Sequence, residues 1–216
     1  MTMNLYFAPL ACSLATRISL YEVGAPAANT AYTQVDTRAK RLADGGDFFA
    51  VNPMGQVPVL RTDEGELLTE NAAVLQYVAE RFPQASLAPE GALARARLRE
   101  CLGFIGTELH KASFVPLLDP KAPDAVKAYA REKTGLRMGV LEKHLAGREF
   151  LLERFSIADA YLATVLNWTR ATDTNLATWP AVAEYHARMH QRPSVARAFG
   201  EELALWQAEV ARAKAS

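Results

Sequence analysis

Cys12 is the residue with the clearest potential for chemistry in this sequence. It lies in the stretch FAPLACSLATR, where an apolar segment that predicts a strand, Asn4–Ala8, gives way to a helical pattern over Ser13–Val23. Unpaired backbone N–H groups and the positive end of the helix dipole stabilise a thiolate at such a position. A small cysteine buried in the core is the alternative, and position alone does not decide between the two.

No second cysteine follows Cys12 at the spacing of a redox dithiol, because the next residues are Ser13, Leu14 and Ala15. This spacing disfavours a thioredoxin-type dithiol exchange. The other cysteine, Cys101, falls within a helical apolar stripe and is predicted to belong to the core.

The dipeptide Val57-Pro58 opens a segment that otherwise predicts a strand. Proline cannot donate a hydrogen bond to a sheet, so either the peptide bond is cis at the start of the strand or the strand lies at an edge. A cis bond would leave the backbone of Val57 free to pair with an extended, peptide-like ligand. The dipeptide is therefore a candidate binding site made from main chain.

Glu70 and Asn71 precede a third amphipathic segment, which predicts a helix that ends before Pro83. Asn71 is a good candidate for the N-cap of this helix, and capping alone would explain its presence. A helix N-terminus also favours a carboxylate ligand, while an acidic side chain beside it can hold an ammonium group. Together the two residues could bind the head group of an amino acid, and both interpretations stay open.

His110 lies on a predicted long helix, on the same face as Gly103 and Gly106. The two glycines leave room for a ligand or for a closely packed neighbouring helix, and packing is the simpler interpretation. The segment Ser156–Asp159, which follows Phe155, fits a structural capping box. No histidine and carboxylate spacing resembles a metal site, so we expect no metal.

The order of elements predicts two domains joined by a linker. Residues 1–83 give a βαβ unit, a loop or short helix, and a ββα unit, with strands predicted at Asn4–Ala8, Ala31–Val35, Val57–Arg61 and Glu66–Thr69. Residues 84–91 have the composition of a linker. Residues 92–216 are predicted to be all helical, with helices near Ala92–Ala112, Pro123–Ala146, Ile157–Arg170, Trp179–Gln191 and Ser194–Arg212.

Composition narrows the choice of partners. The 216 residues are 50% hydrophobic, and basic and acidic residues number 24 each without long blocks of either sign, which argues against nucleic acid as a partner.

Two distant cysteines favour a reducing compartment, and we expect the cytoplasm. The start resembles a lipoprotein cleavage site, but no basic residue precedes Arg17, and no apolar run approaches the length of a membrane span.

In combination these motifs resemble those of the cytosolic glutathione transferases over nearly the whole chain. The resemblance is carried by the cysteine at the first helix, by NPMGQVPVL at Asn52–Leu60, by LLTENAAVLQYV at Leu67–Val78, and by FSIADAYL at Phe155–Leu162. Cys12-Ser13 and the ELHK sequence around His110 are closest to the bacterial beta class.

The resemblance implies an α/β thioredoxin-like N-terminal domain that binds glutathione, an all-α C-terminal domain that supplies most of the second-substrate pocket, and a homodimer. It implies that Cys12, followed by Ser13, lies beside the glutathione sulfur and that His110 reaches the site from the helical domain. The expected glutathione contacts are Val57 with cis-Pro58 for the cysteinyl part, Glu70 and Asn71 for the γ-glutamyl end, and Lys40 for the glycine carboxylate. The family usually has serine where this chain has Asn71, which can still form hydrogen bonds.

The resemblance leaves three functions open. The first is attack of the glutathione thiolate on a hydrophobic electrophile. The second is glutathione-dependent reduction of disulfides or peroxides through a mixed disulfide on Cys12. The third is ligand binding or protein interaction without catalysis. Tyr6 and Ala11 occupy the places of the activating tyrosine and serine of other classes, and neither is expected to act here.

Overall fold

The computed structural model describes residues 2–215 and forms two compact units. The first unit runs through Leu87 and resumes at Pro193, and the second is Ala88–Arg192. The helical domain predicted for residues 92–216 therefore does not coincide with either unit. The difference lies in the last helix, Pro193–Ala215, which packs on the first helix of the chain.

The first unit contains a five-stranded sheet. Its elements in chain order are β1 (Asn4–Phe7), α1 (Leu14–Val23), β2 (Ala31–Asp36), β3 (Arg41–Leu42), β4 (Val59–Arg61), β5 (Leu67–Leu68) and α2 (Asn71–Arg81), followed after the second unit by α8 (Pro193–Ala215). Short 3₁₀ turns occupy Ala25–Ala27, Phe48–Ala50 and Pro83–Ala85. The four predicted strands and two helices are present, with boundaries that shift by one or two residues.

The strand order β3-β2-β1-β4-β5 brings several loops to one edge of the sheet. Strands β1 and β2 are parallel, so both end at this edge. Strands β3 and β4 run antiparallel to their neighbours and begin there, and β5 ends there again. We call this edge, where β1 ends, the loop edge.

Strand β3 was not predicted from the sequence. The segment is polar and lacks the alternation of a strand, and only two residues pair, Leu42 with Val35 and Arg41 with Asp36. The apolar contacts of β3 are with residues distant in sequence: Leu42 packs against a buried cluster that contains Tyr6, Val35 and Phe48.

The second unit is helical, as predicted. It contains α3 (Ala92–Gly103), a π-helical continuation (Phe104–Phe114), α4 (Val115–Leu118), α5 (Asp124–Leu145), α6 (Ile157–Leu166), 3₁₀ turns at Asn167–Ala171 and Leu176–Thr178, and α7 (Pro180–Gln191). The single helix predicted over Ala92–Ala112 is therefore an α-helix up to Gly103 and a π-helix, with more residues in each turn, from Phe104 onwards. Within residues 2–215, no helix combines the length and the apolar character that crossing a membrane requires.

A buried carboxylate holds the start of α6. Asp159 accepts hydrogen bonds from the backbone N–H groups of Leu151 and Ser156, from the Ser156 hydroxyl and from the Tyr185 hydroxyl, each at 2.9 Å. The predicted capping box at Ser156–Asp159 is therefore confirmed. Its carboxylate also connects the preceding loop and α7 to α6.

A second buried polar cluster lies between α7 and the turn after α6. Asn167 Oδ1 is 2.9 Å from His186 Nε2 and 2.7 Å from His190 Nε2. Burial lowers the pKa of His186 to about 4, with smaller contributions from His190 and Arg170. At neutral pH this histidine is therefore uncharged.

Replacing Asp159 with alanine should destabilise the protein. Four buried donors would lose their acceptor, so we expect a loss of about 3 kcal/mol in the free energy of unfolding. Urea unfolding followed by circular dichroism measures the change. Asn175→Ala, which removes the exposed cap of one 3₁₀ turn, is the control and should cost about 1 kcal/mol or less. Equal effects of the two variants would contradict this account of Asp159.

The free energy of unfolding should decrease as the pH is lowered, over a pH range set by the titration of His186. Its folded-state pKa of about 4 lies below the ordinary value of 6.5, so the unfolded chain binds the proton more readily. The stabilisation is present above about pH 6.5 and is lost as the pH falls towards 4. In His186→Gln, the dependence of the unfolding free energy on pH in this window should decrease by up to about 1.4 kcal/mol per pH unit. An unchanged dependence would rule out this titration.

Candidate functional site

The candidate site residues of the first unit follow strands that meet at the loop edge. Cys12 follows β1, Lys40 lies between β2 and β3, Val57 precedes β4, and Glu70 and Asn71 follow β5. Residues that are distant in sequence are thus brought to one edge by the sheet. Open sheets with parallel strands commonly bind ligands at this kind of edge.

Cys12 and Val57 are in direct contact. The Cys12 thiol donates a hydrogen bond to the carbonyl oxygen of Val57 at 3.3 Å, and the peptide bond between Val57 and Pro58 is cis, as predicted. The backbone N–H of Val57 has no hydrogen-bond partner within residues 2–215. One backbone donor is therefore left beside the Cys12 thiol.

Ser13 shapes the loop that presents Cys12. The residue is fully buried, and its hydroxyl accepts a hydrogen bond from the backbone N–H of Ala8 at 3.3 Å and donates one to the Ala8 carbonyl at 3.2 Å. The side chain closes the turn between β1 and α1. Its surroundings suit a structural role in the loop better than contact with a ligand.

Helix α8 holds the same loop from the other side. Glu202 is fully buried and accepts a 2.7 Å hydrogen bond from the backbone N–H of Leu10, which has a left-handed φ of 60°. Its second carboxylate oxygen lies 3.0 Å from Nε of Arg17, whose guanidinium is 4.2 Å from the ring centroid of Phe7. Burial raises the pKa of Glu202 to about 7.

Sequence reasoning missed this arrangement. Glu202 and Leu10 are 192 positions apart, and a glutamate on an amphipathic helix normally faces solvent. The one available signal is Arg17, a charged residue within the otherwise small and apolar start of α1.

Lys40 is held against the loop before β4. Its ammonium group donates a 2.8 Å hydrogen bond to the carbonyl of Gly55, and both residues have positive φ angles, 57° and 59°. A Cβ atom at Gly55 would lie 2.8 Å from Cε1 of Phe49, so glycine is required there. The contact ties the loop after β2 to the loop that carries Val57.

Asn71 does not cap α2, which corrects the capping interpretation. It is the first residue of the helix, and Glu70 occupies the cap position without a hydrogen bond from its side chain. Asn71 is 8% exposed, yet neither polar atom of its amide has a partner within the described residues. Buried amides are nearly always hydrogen-bonded to protein, water or ligand, so both polar atoms of this side chain are available to a ligand.

Glu70 is exposed beside this amide and has a φ of 64°, a conformation that costs energy for a residue with a Cβ. Strained residues of this kind cluster at functional sites. An exposed carboxylate and an unpartnered amide therefore adjoin at the start of α2.

His110 lies in the second unit, where its surroundings are well defined. Its Nδ1 is 2.7 Å from the hydroxyl of Tyr161, and its ring centroid is 4.8 Å from that of Trp168. A Cβ placed on Gly106 would lie 3.7 Å from the Tyr161 hydroxyl, an ordinary packing contact, whereas a Cβ placed on Gly103 would meet no atom within 4 Å, so the ligand and packing interpretations both stay open. Burial, with a smaller contribution from Lys111, lowers the pKa of His110 to about 4. Its contribution to a ligand site stays a prediction.

Two other residues considered in the sequence have structural surroundings. Tyr6 is buried in the cluster with Val35 and Phe48, and its hydroxyl accepts a hydrogen bond from Arg61 at 3.3 Å. Cys101 is half-buried, and burial raises the pKa of its thiol to about 11. This thiol is protonated at neutral pH and is therefore a poor nucleophile.

Comparison with protein families resolves the class of the protein. Residues 11–81 match the family model of the glutathione S-transferase N-terminal domain, and residues 107–193 match that of the C-terminal domain. The chain belongs to the glutathione S-transferase family. The family, the two-part fold and the enzyme class predicted from the sequence are thereby confirmed.

Individual relatives agree with this assignment. Glutathione S-transferase GstA of Escherichia coli O157:H7 is 41% identical over 202 residues, which are 93% of this chain and 98% of that protein. A sphingomonad glutathione S-transferase in complex with glutathione has a TM-score of 0.86 at 43% identity, covering 92% of this chain and 98% of its own. The beta class enzyme of Sphingomonas chungbukensis has a TM-score of 0.87 at 41% identity with the same coverage, which agrees with the predicted class.

Metal ligands are not grouped in the described part of the chain. Between residues 2 and 215, no set of three or more histidine, cysteine, aspartate or glutamate side chains is arranged to hold a metal ion.

Proposed function

We propose that the chain binds reduced glutathione at the loop edge and transfers it to a small hydrophobic electrophile. The observation that carries the proposal is the Asn71 amide, which is buried and has no partner among the described residues. An α-amino-acid head group supplies the missing partners, since its carboxylate accepts from the amide nitrogen and its ammonium pairs with Glu70. The γ-glutamyl end of glutathione has this head group.

The remaining contacts follow the length of the tripeptide. The unpartnered N–H of Val57 donates to the carbonyl of the cysteinyl residue, as in a strand added to a sheet edge. The Lys40 ammonium, at the other side of the loop edge, is available to the glycine carboxylate. With these contacts we expect the glutathione sulfur to lie beside Cys12.

The reaction needs a thiolate on glutathione. The thiol proton passes to solvent, the sulfur lone pair forms a bond to the electrophilic carbon, and the leaving group departs with the electron pair of the broken bond. The site holds the two reactants together, and this proximity supplies much of the rate.

A reductase is the second candidate, and the position of Cys12 favours it. Attack of the Cys12 thiolate on the glutathione sulfur of a mixed disulfide between glutathione and a substrate thiol forms a Cys12–glutathione disulfide and releases the substrate thiolate. A glutathione thiolate then attacks this disulfide, regenerates Cys12 and forms oxidised glutathione, so the substrate is reduced and two glutathione groups are oxidised. A scaffold without catalysis is the third candidate; it accounts for ligand-binding groups at the start of α2 but gives no role to the thiol of Cys12.

The cytoplasm is the proposed location, supported by two cysteines, Cys12 and Cys101, that form no disulfide within the described residues. A homodimer is the proposed assembly. Support comes from α5, where four large apolar side chains on one helical face are between 43% and 60% exposed: Val126, Tyr129, Leu136 and Val140. An exposed apolar stripe of this kind indicates a partner surface.

The central experiment is a comparison of wild type with Cys12→Ala and Asn71→Ala. Isothermal titration with reduced glutathione should show binding to wild type and Cys12→Ala, and a loss of about tenfold or more in Asn71→Ala. Intact mass after incubation with oxidised glutathione should show one added glutathione on wild type and none on Cys12→Ala.

Gln76→Ala serves as the control on the same helix, because it also removes a side-chain amide, one that donates to the carbonyl of Ala72 within the helix. An unchanged affinity of Asn71→Ala for glutathione would contradict the proposed contact with the γ-glutamyl head group. Binding of glutathione with no turnover of a panel of chloronitrobenzenes or mixed disulfides would favour the scaffold without catalysis.

Substitutions on the exposed apolar stripe of α5 test the proposed dimer. Tyr129→Glu places a charge within the apolar face and should shift the protein from dimer to monomer at micromolar concentration. Sedimentation velocity measures the species, and Ala128→Glu, which is exposed but outside the stripe, should remain dimeric. A wild-type monomer, or equal behaviour of the two variants, would remove this interface.

A further inference from the structure

Three polar side chains meet inside the second unit, between α7 and the 3₁₀ turn that follows α6. The Oδ1 atom of Asn167 is 2.9 Å from Nε2 of His186 and 2.7 Å from Nε2 of His190. The two histidine nitrogens are themselves only 3.2 Å apart. Two ring nitrogens and one amide oxygen therefore form a compact triangle, and we call these three residues the histidine cluster.

The spacing of the two histidines accounts for part of this geometry. His186 and His190 are four residues apart on α7, so their side chains lie one turn apart on the same helical face. Their ring centroids are 4.6 Å apart, and the ring planes are inclined by 73°. Metalloproteins hold zinc with pairs of histidines at this helical spacing.

Asn167 completes the cluster from a different element. It is the first residue of the turn Asn167–Ala171, and it is buried. Its amide nitrogen has no hydrogen-bond partner within residues 2–215, whereas its oxygen faces both imidazole rings. The amide thus presents its electron-rich atom to the two histidines and leaves its donor side unused.

The distances in the cluster are close to those around a bound metal ion. Zinc lies about 2.0–2.2 Å from nitrogen and oxygen ligands, so two ligands of a tetrahedral ion are about 3.3 Å apart or slightly more. The three distances in the cluster run from 2.7 to 3.2 Å. Small side-chain rotations would open the triangle to the span that the ion requires.

The imidazole rings are uncharged at neutral pH, as a metal ligand must be. Burial lowers the pKa of His186 to about 4, and burial also lowers the pKa of His190. Arg170 makes a smaller contribution to both shifts, and its side chain is exposed, where salt and solvent screen its charge. Neither ring has to lose a charge-bearing proton before it binds a metal ion.

The types of the three ligands narrow the choice of ion. Imidazole nitrogen suits zinc, copper and nickel, whereas magnesium and calcium require sets of oxygen ligands. Three protein ligands with one position open to water are a common arrangement around zinc, and His190 is half-buried, so solvent can reach it. Spacings of histidines and carboxylates in the sequence do not reveal this set, because its third ligand is an amide oxygen from another element.

We propose that His186, His190 and Asn167 form a zinc site in the second unit, with water as the fourth ligand. The ion bonds to α7 and to the turn after α6 and thereby holds these two elements together. No step of glutathione chemistry is involved, so the inference stands or falls independently of the proposed transferase function.

The test measures zinc binding to the untagged protein at neutral pH, by competition with a chromophoric chelator. Wild type should bind one ion, and His190→Gln should bind it at least about tenfold more weakly, since even the loss of a hydrogen-bond partner of a zinc ligand costs that factor. Asn167→Asp should bind zinc more tightly than wild type, because a carboxylate is a stronger ligand than an amide. An unchanged zinc affinity of Asn167→Asp would remove residue 167 from the site.

His144→Gln is the matched control, because His144 also lies in the second unit and its Nε2 is 2.9 Å from the carbonyl oxygen of Leu151. Cys12→Ala and Cys101→Ala control for zinc held by a thiol. All three variants should bind zinc as wild type does. No zinc binding to wild type, or equal losses in His144→Gln and His190→Gln, would overturn the site.

Thermal unfolding gives a second readout, because an ion that binds only the folded state raises its stability. Zinc should raise the Tm of wild type by several degrees and leave that of His190→Gln unchanged. Circular dichroism without zinc checks that the variant is folded, and Asn167→Asp supplies an independent measurement if it is not. A rise in Tm of the same size in His190→Gln would place the ion elsewhere and contradict the proposal.

Discussion

The buried ion pair between Arg17 and Glu202 is the interaction on which the first unit depends. Arg17 lies between the rings of Phe7 and Tyr32, 4.2 and 4.4 Å from their centroids, and pairs with a glutamate that has no exposed surface. Arg17 also pairs with Glu201 at 3.2 Å, so its guanidinium has two carboxylate partners, whereas the buried Glu202 would lose its cation if Arg17 were removed, which is costly. The same carboxylate holds the N–H of Leu10, so the anchor of the last helix also fixes the loop before Cys12.

The strand order of the mixed sheet brings other candidate site residues next to this anchored loop. Strand β1 is the central strand of five. The loop that follows it and carries Cys12 therefore lies between the loops around β2 and β3 and the loops around β4 and β5. The side at β4 and β5 presents the backbone N–H of Val57 and the buried amide of Asn71, which suit a peptide-like ligand. The side at β2 and β3 presents the Lys40 ammonium group.

The start of α2 shows why local reasoning about the site was incomplete. The sequence predicts an asparagine cap, because asparagine is favoured at that position. In the structure Glu70 takes the cap position with a left-handed backbone, which moves Asn71 into the helix and buries its amide. That the residue pair forms a ligand site stays a prediction, and its geometry depends on how β5 and the sheet direct the chain into the helix.

The sequence by itself determined the local elements and the family. Periodicity located the helices and four of the strands, the Ser156–Asp159 motif fixed the start of α6, and ordered motifs led to the glutathione transferases, because these signals reside in neighbouring residues. Only the tertiary structure decided the pairing of β3, the placement of α8 on the first unit and the partners of Glu202. These features depend on contacts between residues up to 192 positions apart, whose energies come from burial that no local pattern encodes.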